Sequence, residues 1–346
     1  MPPPEIIASA DLTRLSTFAL PARARQLVVL NQVEQIPELP REPTPMLVLG
    51  GGSNTVFLGD WPGQILLNRL RGIESEVLDD EWVRVRAAAG ENWHHLVRWC
   101  LDRGLYGIEN LVMIPGSVGA APMQNIGAYG VELSERLESV EAWDYAGARL
   151  VDIPAAECGL AYRDSRFKSV DRGRFLITAI TLRLSRTFRP NTDYTSLRQA
   201  LEKRACETPG PRQLAASIMR LRRQRLPDPG RIANAGSFFK NPVLSATAAS
   251  ALLDEHPALP HWSLPDDRVK LSAAWMIEHL GWKGRGVGDA VVSPNHALVL
   301  INRGAARAAD LIALIENIQS STTRTFGLRL EPEPVLIGLP GQNRGA

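Results

Sequence analysis

The sequence predicts an α+β protein with two or three domains, from its size and from two changes of pattern along the chain. Its 346 residues, 45% of them hydrophobic, can bury more than one core. Residues 82–90 alternate as a strand does, and residues 93–101 then place apolar side chains at helical spacing. Nearer the C-terminus, a helical pattern over 269–278 precedes an apolar strand over 297–301. Helices and strands in this order are typical of α+β folds.

The first half of the chain supplies further strands and one well-marked helix. Residues 26–30 and 46–49 are short β-rich runs. The helix over 93–101 has Asn92 as a candidate N-cap and Gly104 as a candidate stop. Its apolar residues are therefore expected to form a core face rather than a binding site.

The next part of the chain contains strands at 140–143 and 175–184, predicted from the same alternation. A basic helix over 219–225 ends at two prolines within 227–230, which indicates a domain break. Its arginines are expected to form a solvated face, with attraction of a phosphate as the second role and a nucleic-acid patch disfavoured. A helix over 308–320 then leads to an extended segment in which carboxylates alternate with prolines.

Charge and cysteine content exclude several classes of protein. The 39 basic and 37 acidic residues leave a net charge of +2, so no overall field favours nucleic acid or an anionic membrane as partner. Cys100, Cys158 and Cys206 lack CxxC spacing, which argues against a disulfide framework and a zinc site. No signal peptide and no apolar run of about 18 residues is present. We expect a soluble, cytoplasmic, monomeric protein without a metal site.

A glycine triplet follows the second of the early strands. Gly50, Gly51 and Gly52 let backbone amides turn inward, and Ser53 and Asn54 add hydrogen-bond donors, as in a loop that cradles a diphosphate. The pattern matches neither the GxGxxG nor the GxxxxGK[ST] motif, so a nucleotide would need a different architecture. A tight glycine turn without a ligand is the alternative.

Residues 110–130 form a loop of small residues that is unlike a regular element. Its glycines, prolines and amides make a rigid wall rich in donors, which suits a flat conjugated ring and its phosphates. A packed Ω-loop is the alternative, although loops of this length are usually functional. The residues of interest in it are Pro115, Gly116, Ser117, Gly119, Gln124, Asn125, Gly127 and Tyr129.

A serine between a glycine and two aromatic residues, Ser237, is poorly explained by packing alone. Gly236, Lys240 and the amide of Asn241 flank it, and a hydroxyl in such surroundings can deliver a proton or bind an anion. The alternative is a buried turn with a capping serine.

Two further segments hold charged residues in constrained surroundings. Arg163, between Tyr162 and Asp164, can act as a fork for a carboxylate, although such a triplet is more often a surface ion pair. Glu333 lies between two prolines, which fix the direction of its side chain. The alternative is an exposed acidic edge strand that proline protects from pairing.

Taken together, these motifs resemble those of the UDP-N-acetylenolpyruvoylglucosamine reductase family, flavin enzymes of peptidoglycan synthesis. The resemblance covers nearly the whole chain, and the motifs occur in the family's order, which makes the set highly specific. The motifs are LGGGSN at 49–54, IPGSVG at 114–119, QNIGAYG at 124–130, YRDS at 162–165, GSFFKNP at 236–242 and EPE at 331–333.

The resemblance implies an FAD-binding fold of the vanillyl-alcohol-oxidase type with two α+β subdomains, followed by a C-terminal α+β domain. The implied FAD-binding subdomains are residues 1–72 and 73–226. Residues 227–346 are the implied substrate-binding domain, and the C-terminal segment is expected to return to the flavin site.

The resemblance also implies an activity, UDP-N-acetylmuramate dehydrogenase, with non-covalent FAD and NADPH as cofactors. NADPH reduces FAD, and flavin N5 then delivers a hydride to the terminal methylene of UDP-N-acetylglucosamine enolpyruvate. Arg163 and Glu333 stabilise the resulting enediolate, and Ser237 protonates C2. The product serves cell-wall biogenesis, and with it cell shape and cell division.

The binding residues that the resemblance implies fall into two sets. The cofactor set is Gly50, Gly51, Gly52, Ser53, Asn54, Pro115, Gly116, Ser117, Gly119, Gln124, Asn125 and Gly127. The substrate set is Tyr129, Tyr194, Arg231, Lys240, Asn241, Trp262 and His296.

The chain departs from the family pattern at two substrate positions. Tyr194 matches the tyrosine loop that marks one subtype of the family. Trp262 stands where that subtype carries another tyrosine, so an aromatic stacking surface is kept and the phenol hydrogen-bond donor is lost. Gly230 replaces a lysine that often follows the second proline. Arg231 is expected to reach the substrate diphosphate instead.

Two other functions stay open at this point. A flavin oxidase of the same superfamily would use the FAD loops but would need no acid for C2, so Ser237 and Glu333 speak against it. A catalytically silent nucleotide-sugar-binding protein would result if the departures at Gly230 and Trp262 had emptied the substrate site.

Overall fold

The structure is a computed structural model that describes residues 2–39, 45–264 and 266–338. Its N-terminal strands are β1 (Glu5–Asp11), β2 (Arg23–Leu30), β3 (Met46–Leu49), β4 (Thr55–Phe57) and β5 (Trp61–Asn68). Four of them form a sheet in the order β1-β2-β5-β3, in which β2 and β3 run parallel to β5. Because parallel strands end at the same edge of a sheet, the glycine loop after β3 lies at the edge where β2 and β5 also end.

The middle of the chain forms a second sheet with helices packed on it. Its elements are β6 (Ile73–Val77), β7 (Trp82–Ala88), α1 (Trp93–Asp102), β8 (Gly127–Ala128), β9 (Val131–Glu132), β10 (Leu137–Asp144), β11 (Arg149–Pro154), β12 (Phe175–Ser185), α2 (Thr195–Glu202) and α3 (Pro211–Arg225). The sheet is antiparallel, in the order β11-β10-β12-β7-β6. Apolar residues of α1, α2 and α3 form one buried cluster with it.

The last part of the chain builds two small sheets and three helices. Its elements are β13 (Ala233–Ser237), β14 (Val243–Ser245), α4 (Ala246–Glu255), β15 (His261–Leu264), β16 (Arg268–Leu271), α5 (Ala273–His279), β17 (Gly286–Val287), β18 (Ala290–Val292), β19 (Val299–Asn302), α6 (Ala308–Phe326) and β20 (Val335–Ile337). The sheets have the orders β13-β19-β18-β17 and β14-β16-β15. The three helices share a core with the first of these sheets.

The end of the chain returns to the N-terminal strands. β20 pairs in parallel with β4, with Val335 opposite Thr55 and Ile337 opposite Phe57. Val56 of β4 also belongs to the core of the C-terminal helices. Since β4 directly follows the glycine loop, residues 331–335 lie beside that loop.

Apolar contacts also join the first two sheets. Val28 and Leu66 of the first sheet pack with Ala88 and Leu176 of the second. The domain boundaries near residues 72 and 226 stay predictions. Within the described ranges, no helix is long and apolar enough to cross a membrane.

Several predicted elements lie close to their expected bounds. The strand over 46–49 is β3 and the helix over 93–101 is α1, with Asn92 Oδ1 accepting a hydrogen bond from His95 N at 3.0 Å. The last helix is longer than predicted, because its apolar face continues to Gly327, whose φ of +67° ends it.

The helical interpretation of residues 269–278 is wrong at its start. Arg268–Leu271 is strand β16, which pairs with β14 and β15, and the helix begins only after Ser272. The Ser272 hydroxyl accepts a hydrogen bond from Trp275 N at 3.2 Å and so caps the helix at this point. Lys270 is therefore a strand residue.

Residues 15–19, which we call the N-terminal clasp, hold the first sheet against the C-terminal one. Asn302 of β19 donates from Nδ2 to the carbonyls of Phe18, at 3.2 Å, and Ala19, at 3.3 Å. Its Oδ1 accepts two backbone amides of the following turn, at 2.8 and 3.1 Å. One buried side chain thus satisfies polar groups on both sides of the contact.

Replacing Asn302 by alanine should destabilise the protein, because buried carbonyls and amides lose their partners. We expect the free energy of unfolding to fall by roughly 2–4 kcal/mol, seen in urea as a lower midpoint with an unchanged slope. The exposed Asn295 offers a matched control, since Asn295→Ala removes the same amide side chain from a position on the surface. A midpoint for Asn302→Ala equal to that of the control would contradict this account of the clasp.

Candidate functional site

The glycine loop packs backbone against backbone on the second predicted cofactor loop. A Cβ at Gly50 would lie 2.1 Å from Ser117 Oγ, and one at Gly51 would lie 2.8 Å from Gly116 Cα. Both distances are shorter than real contacts of a Cβ. These glycines are therefore required by the close approach of the two loops.

The backbone amides between the two loops are free. Among the described residues, no acceptor is found for the N–H groups of Gly51, Gly52 and Ser53 in the first loop, or of Gly116 and Ser117 in the second. We call this set of donors the amide cradle. Unpaired N–H groups on two loops in contact can form an anion site for a diphosphate, so the residues present fit FAD.

Asn54 joins the amide cradle to the C-terminal segment. Its Nδ2 donates to Gln124 Oε1 at 2.9 Å and to Glu333 O at 3.4 Å. Its carbonyl accepts a hydrogen bond from Val335 N at 2.9 Å. One asparagine thus connects three segments that are far apart in sequence.

Three residues of the predicted cofactor set have surroundings that explain them without a ligand. The buried Asn125 side chain donates to Glu132 Oε2 at 2.8 Å and accepts from Ser134 N at 3.0 Å. A Cβ at Gly119 would lie 2.5 Å from another side chain, and Pro115 is exposed. Their contact with the cofactor stays a prediction.

A β-bulge presents Ser237. The register between β13 and β19 shifts between Asn234 and Ser237, and Gly236 in between has φ +71°. Asn234 Oδ1 supports the bulge by accepting a hydrogen bond from Gly236 N at 2.9 Å. Ser237 is half-buried, and its hydroxyl makes no hydrogen bond with a described residue, so it caps no turn there.

Glu333 and Arg163 face each other inside the site. Arg163 Nε lies 3.1 Å from Glu333 Oε1, and the two side chains are only 22% and 13% exposed. Arg163 Nε is buried, and among the described residues its N–H finds no acceptor in good hydrogen-bond geometry. Glu333 N donates to Phe238 O at 2.8 Å, which brings Glu333 next to Ser237. Neither a surface ion pair nor an exposed edge strand describes these residues.

Burial raises the pKa of Glu333, although Arg163, Lys168 and Lys240 act in the opposite direction. At a given pH its carboxyl group is therefore protonated more often than that of an exposed glutamate. A protonated carboxyl group can donate a hydrogen bond to an oxyanion, which a carboxylate cannot.

Two hydrogen bonds hold Arg163 in place. Lys168 Nζ donates to the Arg163 carbonyl at 3.0 Å, and Arg163 Nη2 donates to Gly127 O at 3.3 Å. The Arg163 backbone is left-handed, with φ +56°. A non-glycine residue keeps this conformation only where its surroundings enforce it, as they do at many functional sites.

One wall of the site consists of aromatic rings and cations. Lys270 Nζ lies 5.0 Å from the centre of the Tyr162 ring and 5.5 Å from that of Trp262. The Arg163 guanidinium carbon lies 5.4 Å from the same tyrosine. Asn241 Oδ1 accepts a hydrogen bond at 3.0 Å from the first amide of α5. The rings hold positive charge where an anionic ligand would need it.

A second wall combines two tyrosines with arginines of α3. The rings of Tyr129 and Tyr194 meet edge to face at 5.3 Å. Arg222 makes no ion pair with a described residue, and burial lowers its pKa while Tyr129 acts in the opposite direction. Arg225 donates to Ser196 Oγ at 3.3 Å. The prediction of a solvated basic face is wrong for Arg222, because α3 packs with this residue directed toward the tyrosines.

The other predicted substrate residues differ in their surroundings. Lys240 forms an ion pair with Glu331 at 3.0 Å, and Arg231 is exposed. His296 Nδ1 accepts a hydrogen bond from Leu298 N at 3.2 Å, which leaves its proton on Nε2. Burial lowers the pKa of His296, so a neutral imidazole with a free donor is favoured.

Sequence reasoning did not select four residues that shape the site: Lys168, Arg222, Asn234 and Lys270. The strand-like alternation around Lys270 was a usable signal, as was the position of Lys168 just after the YRDS motif. Nothing in the sequence distinguishes Arg222 from the arginines beside it, since its direction depends on how α3 packs.

Comparison with known proteins shows close relatives of this chain. It is 44% identical to the UDP-N-acetylenolpyruvoylglucosamine reductase of Azoarcus sp. (strain BH72), over 97% of this chain and 99% of the relative. It is 46% identical to that of Bordetella pertussis (strain Tohama I), over 94% of each. The chain belongs to the UDP-N-acetylenolpyruvoylglucosamine reductase family. Residues 228–337 match the C-terminal domain of this reductase, and residues 29–153 match an FAD binding domain.

The fold of the reductase family is also found by structural comparison. The crystal structure of UDP-N-acetylenolpyruvylglucosamine reductase from Thermus caldophilus matches with a TM-score of 0.66 at 26% identity, over 97% of this chain and 99% of that chain. The predicted family and fold class, an α+β chain with an FAD-binding region of the vanillyl-alcohol-oxidase type, are thereby confirmed. The FAD binding domain contains both loops of the amide cradle.

Replacing Gly51 by alanine should weaken FAD binding, because the added Cβ would force the two loops of the cradle apart. We expect the dissociation constant of FAD, measured by quenching of flavin fluorescence on addition of apoprotein, to rise about tenfold or more. Gly59→Ala is the matched control, since its nearest neighbour lies at an ordinary 3.6 Å. Equal affinity of the two variants would mean that the cradle does not hold the cofactor.

Proposed function

We propose that the chain is an NADPH-dependent flavoenzyme that reduces UDP-N-acetylglucosamine enolpyruvate to UDP-N-acetylmuramate, a precursor of peptidoglycan. The observation that carries the proposal is the meeting of three groups beside the amide cradle. They are the hydroxyl of Ser237, which has no hydrogen-bond partner among the described residues, the carboxyl of Glu333 with its raised pKa, and the guanidinium of Arg163, which lies 3.1 Å from that carboxyl. Reduction of an enolpyruvyl ether needs such a set, namely one proton donor and two groups that stabilise a carboxylate.

The amide cradle supports non-covalent binding of FAD through its diphosphate, on residues 51–53 and 116–117. When bound, FAD takes a hydride from NADPH and supplies one to the methylene carbon of the substrate. Asn54 and Gln124 connect the cradle to the C-terminal segment, and so relate the position of the cofactor to that of Glu333.

Addition of a hydride to the methylene carbon moves an electron pair toward the substrate carboxylate, as an enediolate. Arg163 can bind this carboxylate through its guanidinium group, which lies against Glu333 with Nε 3.1 Å from Oε1. Glu333, when protonated, can donate a hydrogen bond to the developing oxyanion. Both interactions strengthen as charge develops, which is the condition for lowering a barrier.

Ser237 then protonates C2, so that one hydride and one proton have been added across the double bond. A serine hydroxyl is a weak acid, and the transfer therefore requires a strongly basic enediolate and a cation near the resulting alkoxide. Lys240 is the candidate cation, although it also forms an ion pair with Glu331.

Cations on both walls are available to the substrate diphosphate. We assign it to Lys270, Arg222 and Arg231, the last in place of the lysine that the family often carries one position earlier. Trp262 offers a stacking surface, since it is 44% exposed. The other proposed substrate contacts are Tyr129, Tyr194, Lys240, Asn241 and His296.

The reductase explains more of the site than the two other functions do. A flavin oxidase would need no donor for C2, whereas the hydroxyl of Ser237 is free to serve as one. A silent binding protein would not need a glutamate with a raised pKa beside an arginine. We also propose that the enzyme is a cytoplasmic monomer, and its three free cysteines fit a reducing compartment.

Replacing Ser237 by alanine should separate the two half-reactions. Reduction of bound FAD by NADPH should keep its wild-type rate, because the serine donates no proton in that step. Reoxidation of the reduced flavin by UDP-N-acetylglucosamine enolpyruvate should slow by about 10²–10⁴-fold. Anaerobic stopped-flow absorbance at the flavin band measures both rates.

The exposed Ser263 provides a control, because Ser263→Ala removes a hydroxyl from β15 without touching the proposed acid. Equal slowing of both half-reactions in Ser237→Ala would show that the serine supports the fold of the site instead of donating a proton.

The pH dependence of the reoxidation rate should follow the titration of the Glu333 carboxyl group. Its folded pKa is raised, so the protonated form that donates to the oxyanion is present at low pH and is lost as pH rises through that pKa. Above it, the wild-type reoxidation rate should fall about tenfold per pH unit. Glu333→Gln keeps a donor that does not titrate, so its rate should be independent of pH over the same range. A wild-type slope retained in Glu333→Gln would assign the titration to another group.

A further inference from the structure

The N-terminal clasp contacts both halves of the proposed site. Thr17 N donates to Gly52 O, in the amide cradle, at 3.1 Å. On its other side Thr17 meets the strand that carries Ser237. We propose that Thr17 is a positioning residue, which acts through Asn234 to fix the proton donor relative to the cofactor loop.

Thr17 and Asn234 form a reciprocal pair of hydrogen bonds. Asn234 N donates to Thr17 O at 3.0 Å, and Thr17 Oγ1 donates to Asn234 O at 2.7 Å. The bulge in β13 interrupts the pairing with β19 at this point. Asn234 is the last residue paired with β19 before the register shift, and Thr17 binds both its backbone N–H and its carbonyl.

The side chain of Asn234 passes this constraint on to the bulge. It is 2% exposed, and its Nδ2 donates to Ile232 O at 2.8 Å and Pro227 O at 3.1 Å. Its Oδ1 accepts the amide of Gly236, the left-handed residue directly before Ser237. All hydrogen-bonding atoms of this amide side chain are therefore used to hold one backbone conformation.

Ser237 depends on this backbone because its own side chain is not held. The hydroxyl makes no hydrogen bond with a described residue, so its place is set by the bulge below it. A displaced proton donor costs rate steeply, since a shift of about 1 Å can slow a reaction by about 10²-fold. The series Gly52, Thr17, Asn234, Gly236 connects the cradle to that bulge from the side opposite to residues 331–335 in sequence, through hydrogen bonds alone.

This inference rests on the proposed function, because it gives Thr17 its role through Ser237. It adds a residue from the first 20 positions, in a segment that contributes no group to the chemistry. The backbone bond from Thr17 to Gly52 does not need the threonine side chain. The hydroxyl can therefore be removed without touching the cofactor loop.

The test uses the FAD-loaded enzyme and the nearly isosteric variant Thr17→Val, with Thr17→Ser as the conservative variant. Thr13→Val is the matched control, because the Thr13 hydroxyl donates only to Asp11 at 2.6 Å, on the surface. Three quantities are measured: the FAD dissociation constant, the rate of reduction by NADPH, and the maximal rate and half-saturation of reoxidation by the enolpyruvate substrate.

We expect Thr17→Val to slow maximal reoxidation about tenfold, with FAD affinity, reduction rate and half-saturation within about twofold of wild type. Protonation should then limit the rate, so its solvent deuterium isotope effect should increase. Thr17→Ser should have the wild-type rate of reoxidation, because it keeps the hydroxyl. Thr13→Val should also have the wild-type rate.

Two results would overturn the inference. One is a wild-type reoxidation rate in Thr17→Val. The other is a parallel loss of FAD affinity and of both half-reactions, which would make Thr17 a purely structural residue. Failure of the wild-type enzyme to be reoxidised by the substrate is a different outcome, because it would remove the proposed function itself and with it the role assigned to Thr17.

Discussion

The attachment of residues 331–335 between two distant parts of the chain is the constraint on which the rest of the site depends. On one side Glu333 N donates to Phe238 O at 2.8 Å, beside the proposed proton donor. On the other side Val335 N donates to Asn54 O at 2.9 Å, beside the amide cradle. The proposed proton donor Ser237, the amide cradle and the carboxyl group of Glu333 come from three parts of the sequence, and this one extended segment brings them together.

The site also contains buried polar groups without hydrogen-bond partners among the described residues, and such groups lower the free energy of unfolding. Arg163 has a left-handed backbone and a buried Nε–H that meets no hydrogen-bond acceptor in the part of the chain that the structure describes, and burial raises the pKa of the glutamate beside it. In a site that binds an anion, the ligand supplies the missing partner. The same reasoning applies to the amides of the buried Gly52 and Ser117 in the cradle, which have no acceptor within the described ranges.

The sequence was sufficient for the family, the fold class and the local motifs, because glycine loops and capping residues act over short distances. The glycine triplet was selected for its conformational freedom, but Gly50 and Gly51 are explained by contact with another loop, which a single sequence does not show. The inward direction of Arg222 depends in the same way on helix packing. The helical spacing over 269–278 includes Lys270, but the cap at Ser272 starts the helix only after that residue.

The most direct measurement is an anaerobic titration of the wild-type enzyme, first reduced with NADPH and then mixed with UDP-N-acetylglucosamine enolpyruvate. The account predicts that the absorbance of oxidised flavin returns without oxygen, with about one UDP-N-acetylmuramate formed for each flavin reoxidised. Return of the absorbance only after oxygen is admitted would contradict it, because the assembled groups would then serve an oxidase.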